Sequence, residues 1–229
     1  MKRLFAHLID IFYPNLCCAC GKVLTVGEES ICMDCLLHLP RTNLHLERDN
    51  QLEKRFWGKA EIERATSFYY FQKGSKYRTI LHQLKYKNGT DIGYNIAKYA
   101  ASEIMESPDF RDFDYIVPVP LHPKKFAKRG YNQAECIAQG LSAVMGAPVE
   151  ATNLYRAIEN PTQTKKSVYE RWENTKGIFA VHDATLFAGK RILIVDDVLT
   201  TGSTLIACAE AILEQTPTAR ISVFTLAAA

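Results

Sequence analysis

The stretch Ile192-Leu-Ile-Val-Asp-Asp-Val-Leu-Thr-Thr-Gly-Ser-Thr204 constrains the fold of this chain more tightly than any other part of it. Four aliphatic residues, Ile192 to Val195, follow Lys190 and Arg191 and read as a strand buried on both faces. Asp196 and Asp197 come where that strand is expected to end. Thr200, Thr201, Gly202, Ser203 and Thr204 then form a small hydroxyl-rich loop before a helical pattern of Leu205, Ile206, Ala209, Ile212 and Leu213. A helix start offers unpaired N–H groups and a partial positive charge to an anion. Gly202 lets the backbone approach a ligand closely, the hydroxyls donate further hydrogen bonds, and the carboxylates accept from sugar hydroxyls. Taken separately, an acid pair after an apolar strand and a capping Ser or Thr are ordinary features of α/β folds. In this order they suit a sugar phosphate.

Strands alternate with helices through the rest of the chain. Arg64–Phe71 is rich in aromatics and suits a strand. Helical stretches near 75–87 and 91–106 are split by Asn88-Gly89. Asp114-Tyr-Ile-Val-Pro-Val-Pro120 is a strand stopped by its prolines, and Ile137, Leu141, Val144 and Met145 mark a helix over 132–145. Ile178–Val181 and Ile221–Leu226 are further strands. This order predicts an α/β fold, a doubly wound and mainly parallel sheet with its ligand at the carboxyl ends of the strands. The 229 residues suffice for one domain of ordinary size plus an attachment. A net charge of +3 is too small to imply nucleic-acid binding by itself. No apolar run approaches the ~18–20 residues of a membrane span.

The attachment lies at the N-terminus. Leu4, Leu8, Ile11 and Phe12 recur at helical spacing, so a short amphipathic helix is expected to end before Pro14. His7 and Asp10 interrupt the apolar run, and no small-residue cleavage site follows, which argues against a secretion signal and for a cytoplasmic protein. Five of the seven cysteines fall between positions 17 and 35. Cys17/Cys20 and Cys32/Cys35 are two Cys-x-x-Cys pairs, each able to set two thiolates on one turn. Together they predict a closed, structural Zn²⁺ site. The eleven intervening residues are fewer than the usual ribbon spacing but include Gly21 and Gly27, which suits a hairpin. Structural disulfides and a redox motif are the alternatives, and a cytosolic setting disfavours the first. Cys18 is left over, and Cys136 and Cys208 fall inside helical patterns as small buried hydrophobes. Residues 40–60 are polar and irregular and read as a junction, dividing the chain into 1–55 and 56–229.

Two more segments carry charge toward the strand ends. After Pro120 the chain reads His122-Pro-Lys-Lys-Phe-Ala-Lys-Arg-Gly-Tyr-Asn-Gln133, concentrating Lys124, Lys125, Lys128 and Arg129. A solvated basic loop is one reading of such a run. Its position favours a second one, a phosphate grip led by Arg129, whose guanidinium fits phosphate oxygens in bidentate fashion. Asn160-Pro-Thr-Gln-Thr-Lys-Lys-Ser-Val-Tyr-Glu-Arg171 lacks apolar periodicity and adds Lys165 and Lys166; it reads as a flap that closes over the ligand, or as an exposed connection. Lys85, ahead of Asn88-Gly89, either reaches the phosphates or stands as a surface lysine.

In sequence, residues 192–204 resemble the signature of the type I phosphoribosyltransferases. Preceded by the four cysteines, Leu84-Lys85-Tyr86, Val117-Pro118-Val119-Pro120 and Arg129-Gly130-Tyr131-Asn132-Gln133, they resemble the ComF family within that superfamily, over nearly the whole chain. The resemblance implies phosphoribosyl pyrophosphate (PRPP) as ligand, with Asp196 and Asp197 on the ribose 2′- and 3′-hydroxyls and Val198, Leu199, Thr200, Thr201, Gly202, Ser203 and Thr204 around the 5′-phosphate. It also implies Lys85, Lys124, Lys125, Lys128, Arg129, Lys165 and Lys166 as phosphate contacts, and Mg²⁺ bridging ribose and pyrophosphate oxygens near the two aspartates. The activity implied is transfer of the phosphoribosyl group to a nitrogenous acceptor with release of pyrophosphate, catalysed through Asp196, Asp197 and Arg129, in a competence or DNA-uptake role. Two other classes fit the same residues: a PRPP-binding regulator without transfer, and a factor handling incoming single-stranded DNA or contacting other DNA-uptake proteins, with Phe126 and Tyr131 near the lysines. Phe56 and Trp57 are candidates to stack on a base, against the plainer role of packing.

Overall fold

The computed structural model describes residues 14–86, 89–157 and 177–229. The expected N-terminal helix and the expected flap with Lys165 and Lys166 lie outside the described residues. Four parallel strands make the central sheet in the order β1 (Arg64–Tyr70), β6 (Arg220–Ala228), β5 (Arg191–Leu199), β2 (Tyr115–Pro118). The alternation of apolar residues along β5 explains why helices cover both faces. Ile192 and Ile194 point into one cluster with Leu205, Ile206 and Ile212 of α6 (Ser203–Gln215). Leu193 and Val195 point into the other, with Ile92 and Ile96 of α3 (Gly89–Ile104) and Ile137 and Leu141 of α5 (Gln133–Met145). Each such side chain, fully buried, contributes about 1.5–3 kcal/mol. The doubly wound parallel sheet expected from sequence is therefore the observed architecture.

Three features differ from the sequence reading. The strand at 178–181 is not in the main sheet: β4 (Phe179–Val181) pairs antiparallel with β3 (Leu154–Arg156), a strand too short to leave a pattern. Asp196 and Asp197 do not follow β5 but lie within it, because β6 continues alongside and Leu199 pairs with Ala228. The basic run after β2 is a helix, α4 (Pro123–Arg129), capped by the His122 side chain accepting from Lys124 N and closed by Gly130 at φ +81°. Pro at the first helical position and Gly just past the end favour that helix locally.

Residues 40–60 are irregular, as expected, yet they pack against the sheet. Leu52 and Phe56 are fully buried. Asn50 donates to the carbonyls of Leu44, Glu47 and Ala65. Arg64 on β1 pairs with Glu53 at 2.7 Å and with Asp109, all but out of solvent. The cysteine-bearing segment, with α1 (Met33–Leu37), packs into the other of the two core clusters, against α2 (Arg78–Gln83) and α3: Thr79 Oγ1 donates to Cys18 O (2.7 Å) and Asn95 Nδ2 to Ser30 Oγ (3.0 Å). Among the described residues no helix is long and apolar enough to cross a membrane.

Candidate functional site

At the carboxyl ends of β5 and β2 lies a cavity of about 460 Å³. Asp196, Asp197 and Thr204 border it from β5 and the start of α6; Lys124, Lys125 and Arg129 from α4; and Lys85 from the turn after α2. Five cationic side chains, Arg156 included, thus surround two carboxylates, an excess of positive charge suited to an anion that also carries hydroxyls. The half-buried Asp196 is pushed up to about 8, first by burial and then by the adjacent Asp197; Lys125 and Lys85 oppose the shift. Burial also raises Asp197, against Lys85, Arg129 and Lys125. Asp196 Oδ1 accepts from Asp197 N at 2.8 Å, which fixes the first carboxylate on the strand.

The Arg129–Gln133 segment divides into supports and donors. Asn132 Nδ2 donates to Val119 O (3.0 Å), and its Oδ1 accepts from Ala134 N (3.1 Å), so one side chain ties the turn after β2 and caps α5. The Tyr131 hydroxyl donates to Leu84 O (2.9 Å) and lies against Tyr86 O, holding the turn that carries Lys85. Arg129 and Gln133 face the cavity. Gln133 is only 3% exposed, and its Nε2 has no hydrogen-bond partner among the described residues, a buried donor bordering the same cavity as the carboxylates.

Of the remaining residues expected around a phosphate, Lys128 is exposed and outside the cavity lining, and Leu199 is fully buried. Val198 and Thr200 border a neighbouring cavity. Thr201, Gly202 and Ser203 form the turn into α6, with Thr201 Oγ1 and Ser203 Oγ 2.9 Å apart and Gly202 at φ +81°. That positive φ is the reason for glycine here.

The phosphoribosyl transferase domain family matches residues 82–229. The chain belongs to that family. Within this phosphoribosyl transferase family it groups with the ComF proteins. It is 27% identical to "DNA utilization protein YhgH" of Escherichia coli K12 over 87% of this chain and 91% of that protein. It is 29% identical to "Competence protein ComFC" of Bacillus subtilis over 93% of this chain and 77% of that one. A solved adenine phosphoribosyltransferase from Saccharomyces cerevisiae overlaps 58% of this chain and 66% of its own at 20% identity, with a TM-score of 0.38.

Two arginines at or beside this cavity escaped sequence reasoning. Arg156 reaches the cavity from β3, stacks over Phe179 at 5.5 Å, and has a buried Nε without a partner among the described residues. Its only sequence signal is an isolated Leu-Tyr-Arg triplet. Arg55 donates to Thr200 O and to Ala229 O (3.1 Å), stapling the 50s segment onto the hydroxyl-rich loop. No local pattern marks it, because the contact spans most of the chain.

The four cysteines expected to share a metal do converge. The Sγ atoms of Cys17, Cys20, Cys32 and Cys35 lie within 4.8 Å of one another. Cys20 and Cys32 are 3.8 Å apart, which matches the edge of a tetrahedron built on Zn–S bonds of about 2.3 Å. Burial raises the Cys17 thiol, but amide donors from Cys32, Cys20 and Ala19 outweigh it and bring it down to about 7. Burial and the neighbouring thiols push Cys35 up to about 12. A divalent cation reverses such a penalty by deprotonating its thiols outright. Cys18 is buried in the adjoining apolar cluster and is not part of the cage; Cys136 and Cys208 lie in α5 and α6 as read from the sequence, but only Cys208 is fully buried, Cys136 being half-buried. All seven thiols are free of disulfides. Of the two aromatics weighed as base platforms, Phe56 is core and Trp57 is exposed.

Proposed function

We propose that the cavity binds PRPP with Mg²⁺ and that the protein transfers its phosphoribosyl group to a nitrogenous acceptor in the cytoplasm. The observation that carries this reading is the Asp196–Asp197 pair facing Arg129, Lys125 and Lys85 across one cavity, with the hydroxyl-rich start of α6 beside it. The two carboxylates accept from the ribose hydroxyls, and the loop from Thr200 to Thr204 offers amides and hydroxyls to the 5′-phosphate. Arg129, Lys124 and Lys125 take the pyrophosphate. Asp196 and Asp197 would hold Mg²⁺ near the ribose, and the metal would supply neutralisation of the ligand's negative charge.

The chemistry then needs no protein nucleophile. A nitrogen lone pair of the acceptor bonds to the anomeric carbon as the carbon–oxygen bond to pyrophosphate breaks. The bonding electrons stay on the departing oxygen, and the acceptor's proton passes to water. Positive charge develops on the ribose during this exchange. With the ligand and its metal bound, the Asp196–Asp197 pair gives up its proton and stabilises that charge, and the cations across the cavity stabilise the leaving group.

The Cys17, Cys20, Cys32 and Cys35 cage is assigned a structural zinc, a soft donor set with no position left for substrate. The names of the relatives, DNA utilization and competence, support a ComF-type role in DNA uptake. The test is pyrophosphate release from PRPP and Mg²⁺, with and without a panel of nucleobases and amines. Acceptor-dependent release supports transfer. Tight PRPP binding with no release supports a regulator, and PRPP-displaceable binding of single-stranded DNA supports a DNA-handling factor.

A further inference from the structure

A second cavity, of about 590 Å³, opens beside the first and shares Lys85 with it. Phe71, Leu81 and Val198 give it an apolar surface, while Arg78, His82 and Lys85 line it at the helical spacing i, i+4, i+7. Among the described residues no acidic side chain lines it. Arg78 makes no side-chain hydrogen bond or ion pair among the described residues. The His82 ring centre stands 4.9 Å from that of the exposed Tyr86.

The sheet order places this cavity relative to the first. Across the strand ends the order is β1, β6, β5, β2. The cations of α4 follow β2 and border the first cavity, the aspartates lie on β5, and the second cavity is lined from the ends of β1, β6 and β5 by Phe71, Ala229, Val198 and Thr200. A displacement at carbon brings its entering and leaving groups to opposite sides of the reacting atom. A ribose held on Asp196 and Asp197 with pyrophosphate over α4 therefore turns its free side toward the second cavity.

From this, and resting on the phosphoribosyl reading above, we infer that the second cavity is the acceptor site and takes a planar nitrogen heterocycle bearing an acidic group. The apolar wall accepts the ring face, and Arg78 and His82 hold the acid. A neutral heterocycle offers the Arg78 guanidinium no anion and forfeits a charge-assisted hydrogen bond.

The test uses the full chain and two pairs of mononucleotides that differ in one charge, orotidine against uridine 5′-monophosphate and nicotinate against nicotinamide mononucleotide. Ribose 5-phosphate serves as the common control, and affinities are read by calorimetry. The expected result is at least a tenfold preference for the acidic member of one pair or both. Arg78→Ala, at an exposed position, reduces that preference at least fivefold and leaves ribose 5-phosphate affinity within twofold. Equal affinities within both pairs, or a preference that survives Arg78→Ala, overturn the acceptor assignment while ribose 5-phosphate still binds. Failure of ribose 5-phosphate to bind overturns the phosphoribosyl reading itself, and the acceptor assignment with it.

Discussion

Replacing Asp196 with Asn makes the protein more stable at neutral and alkaline pH and poorer at holding its ligand. The carboxyl is held at about 8 in the folded chain, by burial first and Asp197 second, against about 3.9 in the unfolded one. Below about pH 4 both states keep the proton and the group is neutral to stability. Between about 4 and 8 the unfolded chain releases its proton while the folded chain retains it. The folded state then binds more protons, so stability falls as pH rises through that window and levels off above it. Each pH unit of such a difference costs about 1.4 kcal/mol. Water reaches the half-buried pair and Lys125 and Lys85 counter the shift, so the effective penalty is about 1–3 kcal/mol. Asn keeps the shape and the Oδ1 that accepts from Asp197 N at 2.8 Å. Urea unfolding of both proteins without ligand, at pH 5, 6.5 and 8, measures the difference at constant m-value. The gain for Asp196→Asn is expected to be smallest at pH 5 and to reach about 1–3 kcal/mol at pH 8. A difference that does not change with pH, or an Asn variant less stable at pH 8, refutes the charge-strain argument. A gain in stability joined to loss of binding is the usual mark of a functional carboxylate.

Three other perturbations test the frame around the site. Glu53→Ala leaves Arg64, 6% exposed at its side chain, with Asp109 as its remaining carboxylate partner. A loss of about 3–5 kcal/mol in chemical denaturation is expected, and a loss below about 1 kcal/mol would show that the 50s segment is not anchored there. Gly140→Ala drives a methyl onto Tyr94 O and to 2.8 Å from Ala97 where α5 crosses α3, so a fall in stability of about 1–3 kcal/mol is expected by calorimetric melting. Cys20→Ser opens the thiolate cage. Elemental analysis of freshly reduced protein is expected to find one zinc per chain in the parent and markedly less in the variant, with a lower Tm; zinc near zero in the parent contradicts the metal assignment.

The parts of the site visible in the sequence are those built from neighbours in the chain. The strand, acid pair and hydroxyl-rich turn at 192–204, the two Cys-x-x-Cys pairs, and Arg129 through Gln133 all draw their meaning from local spacing; the cysteines converge, and Asp196, Asp197, Thr204, Arg129 and Gln133 border one cavity, although the acid pair lies inside β5 and the basic run is helical. The hidden parts depend on partners far along the chain. The extent of β5 past Asp197 follows from its pairing with β6. Arg55 acts on Thr200, and Arg156 enters the cavity only because β3 pairs with β4 across residues 158–176. The irregular 40–60 segment shows no periodicity, since its burial comes from the Arg64 ion pair and the Asn50 hydrogen bonds rather than from a regular element. The helix α4 was legible in principle: His122-Pro123 at its start and Gly130 at its end are capping signals that the density of lysines obscured.

Calorimetric titration of PRPP with Mg²⁺ into the parent protein and into the double variant Asp196→Asn, Asp197→Asn tests the assignment of the cavity most directly. Saturable binding by the parent, weakened at least a hundredfold in a double variant that remains folded, is the predicted result. Unchanged affinity in the double variant contradicts it.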